Sequence, residues 1–329
     1  MRTLPAKDQL TICFAHVAYR MAERFALRET GIRHFQVGTL DELVSRLGDF
    51  DVLCVSMLWR NEFIQLAPRL AFIQSISAGT DQYARDALKS AGIRLASAQG
   101  VNAEAVAQHA MALILALARQ LHLARDNQAR RYWRGMISDL SQREDELAGK
   151  TLLVVGLGRI GSRLAALARC FGMRVIATKR DVSIGADAAD AVLPQDRLIE
   201  VLPQADVVAL TCPLTPQTER LIGARSLAAM KPSAILVNVA RGRVVDEPAL
   251  VAALADKRIA AAGIDCTVEE PLPAASPLWG LDNALITPHT AGETRRYEDN
   301  VIDLLLDNVE RIWRGEKTLR NQVAGPPIA

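Results

Sequence analysis

Thr151-Leu152-Leu153-Val154-Val155 runs without a break into Gly156-Leu157-Gly158-Arg159-Ile160-Gly161, and a helical pattern follows at once over Ser162–Cys170. The first five residues read as a strand buried on both faces, the kind parallel sheets use. G-x-G-x-x-G is weak evidence alone, because a glycine-rich turn needs no ligand. Between such a strand and a helix it assigns each glycine a task. Gly156 permits the tight turn, Gly158 lets the backbone approach a pyrophosphate, and Gly161 lets helix and strand pack closely. The helix N-terminus then offers N–H groups and a positive dipole end to the phosphates.

The same alternation of strand and helix extends in both directions. Strands are read downstream at 174–178, 206–210, 234–239, 259–265 and 284–287, and upstream at 10–15, 51–56, 70–77 and 93–97, with a weaker one near Gly31–Val37. This pattern predicts an α/β fold: two Rossmann- or flavodoxin-like, doubly wound parallel-sheet domains around a cleft. Asn102 is read as the N-cap of one long helix running from Ala103 to about Arg130. Its Ala- and Leu-rich middle predicts burial between domains or subunits. A final amphipathic helix carries Val301, Leu304, Leu305, Val309 and Ile312 and stops at Gly315.

Composition narrows the function classes. With 39 basic and 37 acidic side chains, the net charge of +2 gives no support for a nucleic-acid or membrane partner. Five scattered cysteines without a Cys-x-x-Cys pair read as reduced thiols rather than metal ligands. The N-terminus has no apolar signal core, so the expectation is a cytoplasmic protein without metal.

About twenty residues beyond the glycine loop, an acidic residue would hold the adenosine ribose of NAD. This chain has Thr178-Lys179-Arg180 there instead. Two cations suit a 2′-phosphate, so the reading favours NADP over NAD. A solvated strand end that accepts either cofactor is the alternative.

Three successive strand ends then deliver a cation, a carboxylate and an imidazole. Arg241 stands in Asn238-Val239-Ala240-Arg241-Gly242, Glu270 in Glu269-Glu270-Pro271, and His289 in Thr287-Pro288-His289-Thr290. Ligands of open parallel sheets bind at those ends. Reduction of a ketone by a dihydronicotinamide needs an acid for the developing oxyanion, and imidazolium is the natural one near neutral pH. A neighbouring carboxylate favours the imidazolium, and a guanidinium can hold a substrate carboxylate and polarise the carbonyl.

Asn238-Val239-Ala240-Arg241-Gly242-Arg243-Val244-Val245-Asp246-Glu247, Ala262-Gly263-Ile264-Asp265 with Glu270-Pro271-Leu272-Pro273, and Thr287-Pro288-His289-Thr290-Ala291-Gly292 together resemble the signatures of the D-isomer-specific 2-hydroxyacid dehydrogenase family. The glyoxylate/hydroxypyruvate reductase branch fits best. The resemblance implies Arg241, Glu270 and His289 as the catalytic set, Arg241 and His289 also meeting cofactor and substrate. It implies cofactor contacts at Arg159, Ile160, Pro213, Val239 and Ala240, and Asp265 at the nicotinamide end. Ser77-Ala78-Gly79-Thr80 resembles the loop that holds the substrate carboxylate through the N–H groups of Ala78 and Gly79. Trp59 is a further candidate for the substrate pocket, with a packed aromatic as the alternative.

The resemblance further implies a cofactor domain over 101–290, inserted into a substrate domain made of 1–100 plus 291–329, and a homodimer. The expected reaction is hydride transfer between NAD(P)H and a small 2-oxo acid, giving a D-2-hydroxy acid. Thr211, where many relatives carry His, and Lys179, where ribose-binding Asp is common, are departures on the cofactor side. A dinucleotide-sensing corepressor and a phosphite-type oxyanion dehydrogenase are the rival readings.

Overall fold

The computed structural model describes residues 2–182 and 189–326. The chain divides into two compact units, Met1–Asn102 with Thr294–Ala329, and Ala103–Glu293. In the first unit β1 (Thr11–Ala15), α1 (Met21–Ala26), β2 (Arg33–Val37), α2 (Leu40–Ser45) and β3 (Val52–Val55) alternate strictly. The alternation continues with α3 (Phe63–Leu66), β4 (Phe72–Ser75), α4 (Arg85–Ser90) and β5 (Arg94–Ala96).

The second unit opens with α5 (Ala103–Ala118) and α6 (Leu121–Ala129), followed by β6 (Thr151–Val155), α7 (Arg159–Cys170), β7 (Arg174–Lys179) and β8 (Ala191–Pro194). It continues with α8 (Leu198–Val201), β9 (Val207–Leu210), α9 (Ala224–Ala229) and β10 (Ile235–Asn238). Its last elements are α10 (Glu247–Ala255), β11 (Ala261–Ile264) and β12 (Ala284–Ile286). The chain then rejoins the first unit through α11 (Tyr297–Trp313) and β13 (Gln322–Ala324).

The first sheet has the order β13-β5-β4-β3-β1-β2, all parallel except the edge strand β13. The second has the order β12-β11-β10-β9-β6-β7-β8 and is parallel throughout. In both, the order reverses beside the first strand, β1 or β6, where open sheets present their ligand crevice. Strands β1, β3, β4 and β6 are buried at every residue, which is why their sequences are unbroken apolar runs rather than alternating ones.

Both units use the same device at the start of their first strand. Asp51, just before β3, accepts a hydrogen bond from the N–H of Thr11 (2.9 Å) and is held by Arg69. Asp206, just before β9, accepts from the N–H of Thr151 (2.8 Å) and is held by Lys231 (2.7 Å). Each carboxylate satisfies a backbone donor that the strand pairing leaves over.

Two expectations are corrected. The helix read as continuous from Ala103 to about Arg130 is broken between α5 and α6, where Gln120 takes the left-handed conformation (φ +50°). Helix α5 packs against α7, β10 and β11 within its own unit and leaves Ala112 exposed and Leu115 and Ala116 half-buried. Two strands also escaped the sequence reading. β8 ends in a proline, and β13, Gln322-Val323-Ala324, lies in no apolar run that would mark it.

Between 121 and 146 no residue is buried, although the segment carries exposed Leu121, Tyr132, Trp133, Met136 and Leu140. The arm is tied back at its base, where Asp145 N–H donates to the carbonyl of Ala118 (2.8 Å). No helix of the described residues is long and apolar enough to cross a membrane.

Candidate active site

The glycine loop is shaped by what surrounds it. Gly156 has φ +102°, and a Cβ there would lie 2.7 Å from the backbone of Cys212. A Cβ on Gly161 would lie 2.4 Å from the carbonyl oxygen of Gly156. Gly158 differs: a Cβ there would meet nothing within 4 Å. This is open space at the N-cap of α7, a twelve-residue helix that no side chain caps. The turn is therefore closed on the protein side and open on the helix-terminus side, as a bound diphosphate requires. Thr211 fixes the loop, its hydroxyl donating to the carbonyl of Gly156 (2.7 Å). Lys179 is the last residue of β7 and half-buried; Arg180, just beyond it, is exposed. Pro213 lies in the exposed loop after β9, and its carbonyl accepts from Thr218 (2.7 Å).

After β10 the chain turns through Val239 and Ala240, both buried, to an exposed Arg241. Asn238 locks this turn: its side chain accepts from the N–H of Ala240 (3.0 Å) and donates to the carbonyl of Arg241 (3.0 Å). Gly242 lets the turn lie directly on the next strand's loop, because a Cβ there would fall 2.0 Å from the backbone of Thr267. The loop bearing Arg241 is thus pressed against the loop bearing Glu270. No side chain larger than hydrogen fits between them.

Glu270 is held at both oxygens. Oε1 accepts from the N–H of Thr267 (3.1 Å), and Oε2 accepts from His289 Nδ1–H (2.7 Å). The proton on Nδ1 leaves Nε2 as the atom that faces a reactant. Both side chains are about two-fifths exposed, so this pair is worth little to stability and is accessible for chemistry.

The loop of His289 is organised from below by Asp265, whose side chain is 1% exposed. Asp265 accepts from the hydroxyl of Thr287 (2.6 Å) and from the N–H groups of Thr290 (3.0 Å) and Ala291 (3.1 Å). These bonds support the left-handed backbone of His289 (φ +55°). Beyond its expected contact with cofactor, Asp265 therefore anchors the imidazole loop.

Sequence reasoning missed His109 on α5. Its Nε2 lies 2.9 Å from the hydroxyl of Thr287 and 3.5 Å from Asp265. A carboxylate can only accept, so the Thr287 proton points to Asp265 and the Thr287 oxygen must accept from His109 Nε2–H. The signal for it is tertiary. Leu113 packs on Gly263, and His109 lies one helical turn before Leu113 while Asp265 lies two residues beyond Gly263. Cys266, read from the sequence only as one of five reduced thiols, also lies beside the site. Burial, then the charges of Asp265 and Glu270, push its thiol up to about 12 against the opposing pull of Arg241.

The first unit holds the remaining candidates. Ala78 is exposed and Gly79 half-buried, in the turn after β4. The Ser77 hydroxyl on that turn lies 2.5 Å from that of Ser56. Trp59 does not match its expected place in a substrate pocket. It is 3% exposed, packs between Phe63 and Tyr83, and donates from its indole N–H to Asn61 (3.0 Å).

Comparison with known proteins is consistent with this geometry. Residues 111–291 match the model of the D-isomer specific 2-hydroxyacid dehydrogenase NAD binding domain. The chain is 37% identical over 268 residues to glyoxylate/hydroxypyruvate reductase B of Yersinia pestis, covering 81% of each. It is 35% identical over 296 residues to the D-3-phosphoglycerate dehydrogenase of Methanocaldococcus jannaschii, and covers 88% of this chain but 55% of that protein. The crystal structure of the TT0316 protein from Thermus thermophilus superposes with a TM-score of 0.80 at 34% identity, over 96% of this chain and all of that one. By this match and the fold together, the chain belongs to the D-isomer specific 2-hydroxyacid dehydrogenase family.

Proposed function

We propose that this chain reduces small 2-oxo acids of the glyoxylate and hydroxypyruvate type to D-2-hydroxy acids, and uses NADPH in preference to NADH. The observation that carries the reading is the 2.7 Å bond between His289 Nδ1 and Glu270 Oε2, on the same sheet edge as the glycine loop. A bound dihydronicotinamide supplies the reducing equivalent. His289 Nε2–H gives its proton to the developing alkoxide, and Glu270 compensates the imidazolium charge and fixes the ring. Arg241 holds the substrate carboxylate through its planar fork. Ala78 and Gly79 are the first unit's candidates for holding a substrate carboxylate through backbone N–H groups.

Gly156, Gly158, Arg159, Ile160 and Gly161 would cradle the pyrophosphate, with Pro213, Val239, Ala240 and Asp265 lining the nicotinamide side. Support for NADP comes from Lys179 and Arg180 at the end of β7, where a ribose-binding carboxylate is missing. A cytoplasmic setting agrees with five free cysteines, four of them buried. The exposed apolar side chains of the 121–146 arm support a homodimer.

The test is a spectrophotometric screen of 2-oxo acids against both reduced cofactors. The expected result is turnover confined to carboxylate-bearing ketones and aldehydes, with higher kcat/KM for NADPH. Cofactor binding without turnover of any 2-oxo acid would favour a sensor. A tenfold preference for NADH would remove the cofactor assignment.

A further inference from the structure

The ends of β11 and β12 bring together a donor set that proton transfer does not need. The donor atoms of Cys266, Glu270 and His289 all lie within 4.8 Å of one another. The geometry points to a binding site for a soft divalent cation of zinc's class, formed by Cys266 Sγ, Glu270 Oε2 and His289 Nδ1. Occupation of this site competes with the Glu270–His289 hydrogen bond.

Thiolate, imidazole and carboxylate are ligands that zinc accepts, and three protein ligands leave a fourth position open. The set is graded in depth. Cys266 is 3% exposed, whereas Glu270 and His289 are open to solvent, so a cation entering past the two outer groups would seat on buried sulfur. Among the described residues the sulfur's one hydrogen-bond partner is the Ala240 carbonyl, at 3.7 Å.

Ligand-to-metal distances of about 2.0–2.3 Å place tetrahedral ligands roughly 3.3–3.7 Å apart. The Glu270–His289 pair, now at 2.7 Å, must open slightly, and all three donor atoms start within 4.8 Å of one another. Glu270 can do so with Oε1 still on Thr267, and the imidazole loop stays anchored by Asp265. Asp265 and Glu270 also supply negative charge that a divalent cation neutralises. Coordination releases the Cys266 proton to solvent and, from the imidazolium, the His289 Nδ1 proton as well, leaving a neutral ring with its proton on Nε2, and no electrons move. If the chain is the reductase proposed above, Glu270 can no longer support a proton donor at His289, and turnover stops.

Cobalt(II) titration of the purified protein under anaerobic conditions tests the site without reference to activity, because thiolate ligation gives an intense near-ultraviolet charge-transfer band. The expected result is a band that saturates near one equivalent, is displaced by zinc, and is lost in Cys266→Ala and in His289→Ala. Cys170, the exposed cysteine, is controlled by Cys170→Ser, which should keep the band. No band in the folded wild type, or one that survives Cys266→Ala, overturns the site.

In a second arm, zinc should slow 2-oxo acid turnover by the wild type. Cys266→Ala should raise the half-inhibiting zinc concentration by at least about tenfold, the low end of what losing even an outer partner costs a metal. Inhibition that is unchanged in Cys266→Ala overturns the competition. A protein with no turnover at all would fail the reductase reading and leave the cobalt result to decide the metal site.

Discussion

Single residues around Asp265 decide whether the imidazole is in place. The buried carboxylate is satisfied by Thr287 and two backbone donors, and His109 steadies Thr287 in turn. Thr287→Val keeps the shape and removes the hydroxyl, so Asp265 loses one donor and His109 its acceptor. Leaving such groups unpaired costs about 1–3 kcal/mol. The variant should therefore show a lower urea midpoint and a reduced kcat, while Thr287→Ser restores both. A valine variant as active and stable as wild type would mean the network positions nothing. Arg241→Lys keeps the charge but loses the planar fork. Measured as kcat/KM with a 2-oxo acid, the loss should far exceed what a charge-conserving change implies; an equal turnover of ketones without a carboxylate would remove Arg241 from substrate recognition. His289→Ala should lower kcat by about 10²–10⁴ and leave cofactor binding, followed by fluorescence titration, nearly intact.

At the scale of elements, most strands were legible because burial on both faces leaves unbroken apolar runs in the sequence. What was not legible depends on contacts distant in sequence. The break at Gln120 sits inside a run with good helical composition, and the requirement for Gly242 comes from the backbone of Thr267, twenty-five residues on. Arg241, Glu270 and His289 could be picked out because each follows a readable strand. Their order was legible, but the 2.7 Å bond between two of them was not. His109 was overlooked because its role appears only when α5 is laid along β11. Gly242→Ala should separate the two loops it joins, and a displacement of about 1 Å can cost on the order of 100-fold in kcat/KM. An alanine variant of normal activity would show that the loops need not touch. Asp206 gives a pH prediction. Burial pushes the Asp206 carboxyl up, but hydrogen bonds from Lys231 and Thr151 outweigh it and hold it below its usual value. A lowered folded value means stability that is present above the unfolded value and is lost as pH falls through the folded one. The difference in urea midpoint between wild type and Asp206→Asn should be present at about pH 7 and shrink below about pH 4. A difference that persists unchanged in acid would assign the effect to shape rather than charge.

At the scale of the whole molecule, the question is what covers the arm between α5 and β6. Helix α5, the one expected to meet a partner, buries nine of its sixteen residues in its own unit and leaves Ala112 exposed. The larger apolar exposure is on its continuation, where Trp133 is 96% exposed and Tyr132, Met136 and Leu140 stand open beside it. Large apolar side chains clustered on one excursion are uncommon on a monomer and mark an interaction surface. The arm lies in the same unit as the glycine loop and the imidazole pair, so a partner seated on it would be continuous with the proposed cofactor domain. In the homodimer proposed above, each arm would cover the other protomer symmetrically. An obligate interface of this kind buries upward of about 2,000 Å² in total and is rich in apolar side chains. Light scattering of the wild type at micromolar concentration should therefore give twice the chain mass. Replacing Trp133 and Met136 together with serine removes the two most exposed apolar groups without touching any buried residue, so the fold should survive, as circular dichroism can verify, while the mass falls towards that of one chain. A wild type that is monomeric at micromolar concentration would refute the dimer outright. A double variant that remains fully dimeric would move the interface away from the arm and leave the exposure of Trp133 to be explained by another partner.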